Sequence, residues 1–354
     1  MKQSYLLISS IVGVLIVLSG CKPDQRESTH SSTETAKTAI FNSTTKETTS
    51  SSKKEITGQT NDLVFEDTSY NYDVVTGATQ TTFGSNPKPM YTYEEKLKKM
   101  FWSNQPPLGL LEGNYFTNEG YFDVGNKGIV EIVTDENSKI INVEFNEYGA
   151  ENYYESTYAG ANKRLSDYAF FQAQNPRTDA TLVTVVNGIT FVEQQMREEN
   201  RIDGNFNTVK GSSTSAREGL MAIAAELADQ IRKPSATKYI GYAQDFGDGL
   251  IGRIQLTVTD GKIDTARYDE YFADQPEQIK SEQLKKYYRQ SKYFSLIYNQ
   301  ETGNDFITFA DALTQTIIDQ QSLMIKDNEL SQHPSFALYE KLIEHIDTDL
   351  VTRK

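Results

Sequence analysis

The chain has 354 residues, with 35 basic and 49 acidic side chains, a formal charge of −14 and 37% hydrophobic residues. This balance excludes a multi-spanning membrane protein and argues against nucleic acid or an anionic surface as partner, because those attract Lys and Arg. A single Cys and three His exclude an internal disulfide and Cys-x-x-Cys haem attachment, and leave almost nothing for a metal centre or a Cys–His pair.

Met1 and Lys2 form a short positive start, followed by an apolar run from Tyr5 to Leu18. That run is shorter than the roughly 20 residues a membrane-spanning helix needs. It ends in Leu18-Ser19-Gly20-Cys21, the pattern of a bacterial lipobox. Residues 1–20 therefore read as a lipoprotein signal peptide, and Cys21 as the site of a diacylglycerol anchor whose two chains hold stably where one would not. The expected location is the outer face of the cell membrane. Between Ser28 and Thr60, 17 of 33 residues are Ser or Thr. Such a stretch buries too little apolar surface to offset chain entropy, so 21–61 reads as a disordered spacer.

The next segment, 62–105, contains Asp73-Val74-Val75-Thr76-Gly77-Ala78-Thr79-Gln80-Thr81. Gly77 and Ala78 leave the backbone free of bulk, so another molecule can approach closely. Thr79 supplies a hydroxyl nucleophile, Thr76 and Thr81 are small hydroxyl donors, and Asp73 is placed to orient the turn. As a bare pattern, Thr-Gly-Ala-Thr also suits an ordinary polar turn. Tyr91–Trp102 reads as a short helix whose aromatic residues serve either as cover for a planar ligand or as core.

The remainder contains a repeat. Gly128–Ile140 leading to Tyr148, and Gly252–Ile263 leading to Tyr271, each read as an alternating strand, a tight turn and a second alternating strand. The offset from Tyr148 to Tyr271 is 123 residues. A basic-aromatic helix is expected after each hairpin, at Ala161–Leu165 and Gln283–Arg289. A closing amphipathic helix is expected near Thr214–Arg232 and Phe306–Gln321. Two α+β domains follow, 106–233 and 236–354, joined at Lys233-Pro234-Ser235 and each expected to fold alone. Asn207-Thr208-Val209-Lys210-Gly211-Ser212-Ser213 and Thr302-Gly303-Asn304-Asp305 read as decayed copies of the Asp73–Thr79 pattern, placed before the closing helices. Ser212–Ser215 also suits a plain helix cap.

Asp73–Thr79 resembles the flavinylation motif of FMN-binding domains, Asp-x-x-(Ser/Thr)-Gly-Ala-Thr. That resemblance implies transfer of FMN from FAD to Thr79 by an ApbE-type FMN transferase, as a phosphoester. Asp73, Thr76, Gly77, Ala78 and Thr81 would form its cofactor-binding surroundings, with Ser213 as a second candidate acceptor. Asp305 in the last copy could not form such a stable ester. Taken whole, residues 1–325 resemble the flavin-bearing, pheromone-precursor lipoproteins of Gram-positive extracellular electron transfer.

The fold implied is two tandem FMN-binding-type domains, of antiparallel strands plus helices. The implied function is an anchored electron carrier between a membrane quinone-linked donor and free flavins or ferric iron, with FMN as its redox centre. One departure is that Thr79 precedes the first complete domain instead of closing it. The alternative is a non-redox binding or signalling lipoprotein with a vestigial motif, its signal-peptide segment Gly13–Gly20 released as a pheromone. No nucleophile–base pair, paired-carboxylate motif or metal cluster stands out, so no catalytic or metal-ligating residue is assigned.

Overall fold

The computed structural model describes residues 60–77 and 88–347. The signal segment, Cys21, the spacer up to residue 59, and Ala78, Thr79 and Thr81 lie outside the described residues. The chain is mixed α and β, with antiparallel sheets and several helices.

Both hairpins read from the sequence form, and each gains a third strand. The first copy is a meander of β3 (Gly109–Phe122), β4 (Asn126–Thr134) and β5 (Ile140–Tyr148). The segment before it holds two earlier strands, β1 (Thr60–Phe65) and β2 (Thr68–Val75), and a later one, β6 (Thr208–Val209), joins them. The second meander is β7 (Thr237–Asp245), β8 (Leu250–Thr259) and β9 (Lys262–Phe272). Asp260 and Gly261 both take positive φ, 51° and 73°, which gives the primed turn that matches the twist of the flanking strands. In the first copy the Asp135 carboxylate closes a longer turn, accepting from the backbone N–H of Asn137 and Lys139 at 2.8 Å each.

The two meanders form one sheet. β3 pairs antiparallel with β7, Gly109 opposite Ala243 through Asn114 opposite Lys238, giving the strand order β5-β4-β3-β7-β8-β9. The Lys233–Ser235 join is clamped to this seam: Ser235 Oγ donates to the Tyr115 carbonyl at 2.9 Å.

Helices cover one face of the sheet. Val130, Ile132, Val143 and Phe145 pack against Ile189, Val192 and Met196 of a helix at Val185–Glu199. Ile254, Leu256, Val258 and Tyr268 pack against Phe306, Phe309, Leu313 and Ile317 of a helix at Asp305–Gln320. In chain order the helices are α1 (Tyr93–Lys99), α2 (Tyr168–Gln174), α3 (Val185–Glu199), α4 (Ala222–Ala225), α5 (Leu296–Thr302), α6 (Asp305–Gln320) and α7 (Phe336–Ile343). A π-helix, Ser215–Met221, runs directly into α4.

The other face is polar and curls until it meets itself. Three strands separate β5 from β8, and three separate β4 from β9. Even so, Arg253 donates to Glu144 at 2.8 Å, and Arg267 grips Glu131 with two hydrogen bonds of 2.6 and 2.8 Å. Closure is completed by loops, where Ser291 N–H donates to the Leu165 carbonyl at 3.0 Å.

The repeat departs from its sequence expectations in three places. Ala161–Leu165 is a loop and not a helix, tied to β5 by a bridge between Tyr148 and Asn162. Its counterpart is Gln290–Phe294, bridged from Ser291 to Tyr271, while residues 282–287 form a separate 3-10 helix. The counterpart of α6, which lies on β9, is α3, which lies on β5; the π-helix and α4 lie on β3 and β4 as α7 lies on β7 and β8. Thr302–Asp305 therefore does not occupy the place of Lys210–Ser213. The expected helix to Arg232 also stops early: α4 ends at Ala225 and the chain continues in turns.

Within Tyr91–Trp102, α1 starts on a capping box between Thr92 and Glu95. Met100, Phe101 and Trp102 are buried, and the Trp102 ring packs edge-on against Phe170 at 4.9 Å, so this end of the segment is core. His345 is exposed, but His333 is half-buried, stacked 4.1 Å from Phe309 with its Nε2 3.1 Å from Asp305.

Candidate functional site

Strand β2 carries the first residues of the motif. It pairs with β6, Val74 opposite Val209 and Val75 opposite Thr208, so the Asp73–Gly77 pattern runs antiparallel to Asn207–Gly211. All four of those paired residues are buried. Lys210 N–H donates to the Asp73 carbonyl at 2.9 Å, and the Lys210 ammonium lies 3.7 Å from the Asp73 carboxylate. That ion pair is too exposed and long to hold the strands by itself. At the opposite end the Asn207 side chain accepts from Gly77 N–H at 3.1 Å. The first position of each motif thus meets the fourth or fifth position of the other. Gly77 sits at φ 56°, a conformation that suits glycine. Thr76 is exposed.

The second motif is packed tightly from behind. Gly211 has φ 100°, and a Cβ there would lie 2.7 Å from Thr181 Oγ1. Gly188 of α3 touches the next residue: a Cβ on Gly188 would come within 2.4 Å of the Ser212 carbonyl. Ser213 is 0% exposed, so its hydroxyl is reached by a modifying enzyme only after local opening.

In front of Gly211 lies a groove of about 140 Å³, lined by Tyr154, Phe171, Thr178 and Thr181 among others. Tyr154 is 75% exposed yet held by aromatic neighbours, with ring centroids 4.7 Å from Tyr153 and 6.1 Å from Phe171. Phe171 in turn sits 4.8 Å from Tyr158. A large exposed ring fixed by packing is a ready stacking surface.

The chain after the motif is anchored beside the same groove. Met90 N–H donates to Asp179 at 2.5 Å, and Asp179 also pairs with the buried Lys96 ammonium. Burial pushes the Asp179 carboxyl up, but Lys96 and the Met90 N–H outweigh it and hold it below the usual carboxylate range. Lys96 completes its shell on the Asn175 carbonyl and Thr178 Oγ1, at 3.0 and 3.1 Å. Residue 90 is therefore fixed next to the wall formed by Thr178, Thr181 and Gly211, while Gly77 is held at the Asn207 end of the strand pair.

Sequence reasoning singled out Asp73, Thr76, Gly77 and Ser213 but missed Asn207 as a partner of Gly77, the Tyr154–Phe171 surface and the Lys96–Asp179 anchor. One signal was available: the patterns Asp-x-x-Thr-Gly and Asn-x-x-Lys-Gly have the same spacing and complementary Asp and Lys. Among the described residues no group of three or more His, Cys, Asp or Glu is placed to hold a metal, and no helix is long and apolar enough to cross a membrane. No protein-family profile, curated protein or solved structure matches this chain.

Proposed function

We propose that this protein is a lipid-anchored extracellular flavoprotein that carries FMN covalently on Thr79 and passes electrons from a membrane quinone-linked donor to free flavins or ferric iron. The observation that carries this reading is the antiparallel pairing of Asp73–Gly77 with Asn207–Gly211 beside an aromatic groove. Covalent geometry limits two residues of chain to about 7 Å, so an acceptor two positions beyond Gly77 stays close to that pairing. Two tandem FMN-binding-type domains, fused through one sheet, are the architecture this reading assigns to the repeat.

The residues present fit the group. Gly211 keeps the groove floor free of a side chain, and Tyr154 and Phe171 would face the isoalloxazine. When bound, FMN supplies the one- and two-electron chemistry; the chain supplies attachment, orientation and shielding from water. Attachment matters outside a membrane, because a dissociated cofactor is lost to the medium. Anchoring through Cys21 and loading by an ApbE-type FMN transferase belong to the same proposal.

Co-expression with such a transferase, followed by intact-mass measurement, tests it. The wild type should gain the mass of one FMN less water and fluoresce on a denaturing gel, and Thr79→Ala should do neither. Identical unmodified masses for both would overturn the reading and leave a binding or signalling lipoprotein with a vestigial motif.

A further inference from the structure

A second and larger cavity, of about 730 Å³, opens between the β1–β2 hairpin, the residues around Trp102, α3 and the curled polar face of the sheet. Its volume is in the range of small-molecule sites. One wall is aromatic. Tyr72 of β2 and Phe191 of α3 meet edge to face at 6.4 Å, and Trp102 lines the same space. Trp102 is 1% exposed and is the only tryptophan in the chain. Its ring is backed by the Arg289 guanidinium at 4.5 Å and by Phe170, so this wall is rigid before any ligand arrives.

The lining carries three guanidinium groups and three carboxylates, of which two of each are joined in ion pairs. Arg253 is matched by Glu144 at 2.8 Å, and Arg164 by Glu193 at 2.6 Å. Glu193 is further engaged by Phe145 N–H at 2.7 Å. Arg197, one helical turn beyond Glu193 on α3, also lines the cavity and is half-buried, and its guanidinium has no hydrogen bond or ion pair among the described residues. The one other carboxylate on the lining, Asp62, is exposed on β1. A protein of charge −14 that leaves a guanidinium unmatched beside rigid rings has built a local exception to its own field.

We infer that this cavity binds a planar aromatic anion, its ring against Tyr72 and Phe191, with Trp102 as the buried support behind them, and its anionic group on Arg197. Guanidinium suits this role because it forks onto phosphate or carboxylate while its charge survives at any physiological pH. The site is separate from the Gly211 groove and owes nothing to the proposed modification of Thr79.

FMN and riboflavin are the matched probes, since they share a ring and differ by a phosphate. The full chain is produced without an FMN transferase, so that no covalent flavin is present, and titrated by calorimetry and by quenching of Trp102 fluorescence. One FMN per chain should bind saturably, with riboflavin weaker by about tenfold or more, the range expected for a charge-assisted hydrogen bond. Arg197→Gln should bring FMN down to the riboflavin level at an unchanged melting temperature, and Arg197→Lys should keep part of the preference. Equal affinity for the two probes, no saturable binding up to millimolar FMN, or wild-type affinity in Arg197→Gln would each overturn the assignment. Should Arg197→Gln melt early, the comparison of the two probes on wild-type protein still decides.

Discussion

Lys163 and Lys292 hold the same position in the two halves of the molecule. Each donates its backbone N–H at 2.7 Å to the carbonyl of a glutamate one residue short of its Tyr, Glu147 or Glu270, and each returns its ammonium to that glutamate's carboxylate. Both ion pairs are buried. The loop that follows is alike as well: Ser166 N–H donates to the Asn162 carbonyl, and Ser295 N–H to the Ser291 carbonyl. Two charges recurring together in an interior are a structural device, because either alone carries a large desolvation cost.

Removing one partner of such a pair should therefore be severe. Lys292→Met leaves Glu270 buried with only the Tyr268 hydroxyl, at 2.7 Å, among its side-chain donors. We expect a loss of about 3–5 kcal/mol in urea unfolding. Lys292→Met combined with Glu270→Leu should recover part of it. A single-variant loss under about 1 kcal/mol would contradict the burial of this pair.

The shared sheet makes a prediction about dissection. Fragment 106–233 alone would expose the edge of β3, and 236–354 alone the edge of β7, and each would lose its partner in Glu131–Arg267 and Glu144–Arg253. Open edges of this length invite association. The full chain should unfold in one transition by circular dichroism. The separate fragments should aggregate or unfold broadly, and mixing them should restore a cooperative step. Two sharply melting soluble fragments would instead mark independent domains.

Stability should peak on the acid side of neutrality. Burial raises the Asp269 carboxyl to about 7, despite donors from Ser291 Oγ and the backbone of Tyr293 and Glu270. Burial likewise raises Asp274 to about 6. Both groups bind a proton more tightly folded than unfolded, so their contribution is complete below about pH 4 and is lost as pH rises through 6 to 7. Glu144 runs the other way: burial favours its neutral form, but Arg253, Arg164 and Arg267 outweigh that and hold it at about 2. Its contribution is present above the unfolded carboxylate range and disappears as pH falls through 2. Melting temperatures from pH 2.5 to 8 should therefore be highest near pH 4 to 5, a window set by the unfolded carboxylate values. Asp269→Asn should flatten the decline toward pH 7. A wild-type profile that rises from pH 5 to 7 would refute this.

Local chemistry was legible in the residues themselves. Alternation marked β4, β5, β8 and β9, Asp260-Gly261 marked a primed turn, and the 123-residue offset paired them correctly. The helical correspondence was not legible, because α3 and the stretch Ser215–Ala225 both show apolar faces and sequence order does not say which strand each covers. Asn207 looked like a decayed acidic residue, and its use emerges only when β6 lies beside β2.

What the sequence alone determined was the four strands of the two hairpins, their tight turns and the repeat, since each depends on side chains within a few residues of one another. Tertiary structure decided the rest. Glu131 and Arg267 are 136 positions apart and Glu144 and Arg253 are 109 apart, and nothing local predicts that a sheet will curl far enough to join them. The physical reason is that a buried charge is tolerable only beside its partner, and that partner is chosen by the closure of the sheet and not by neighbours along the chain.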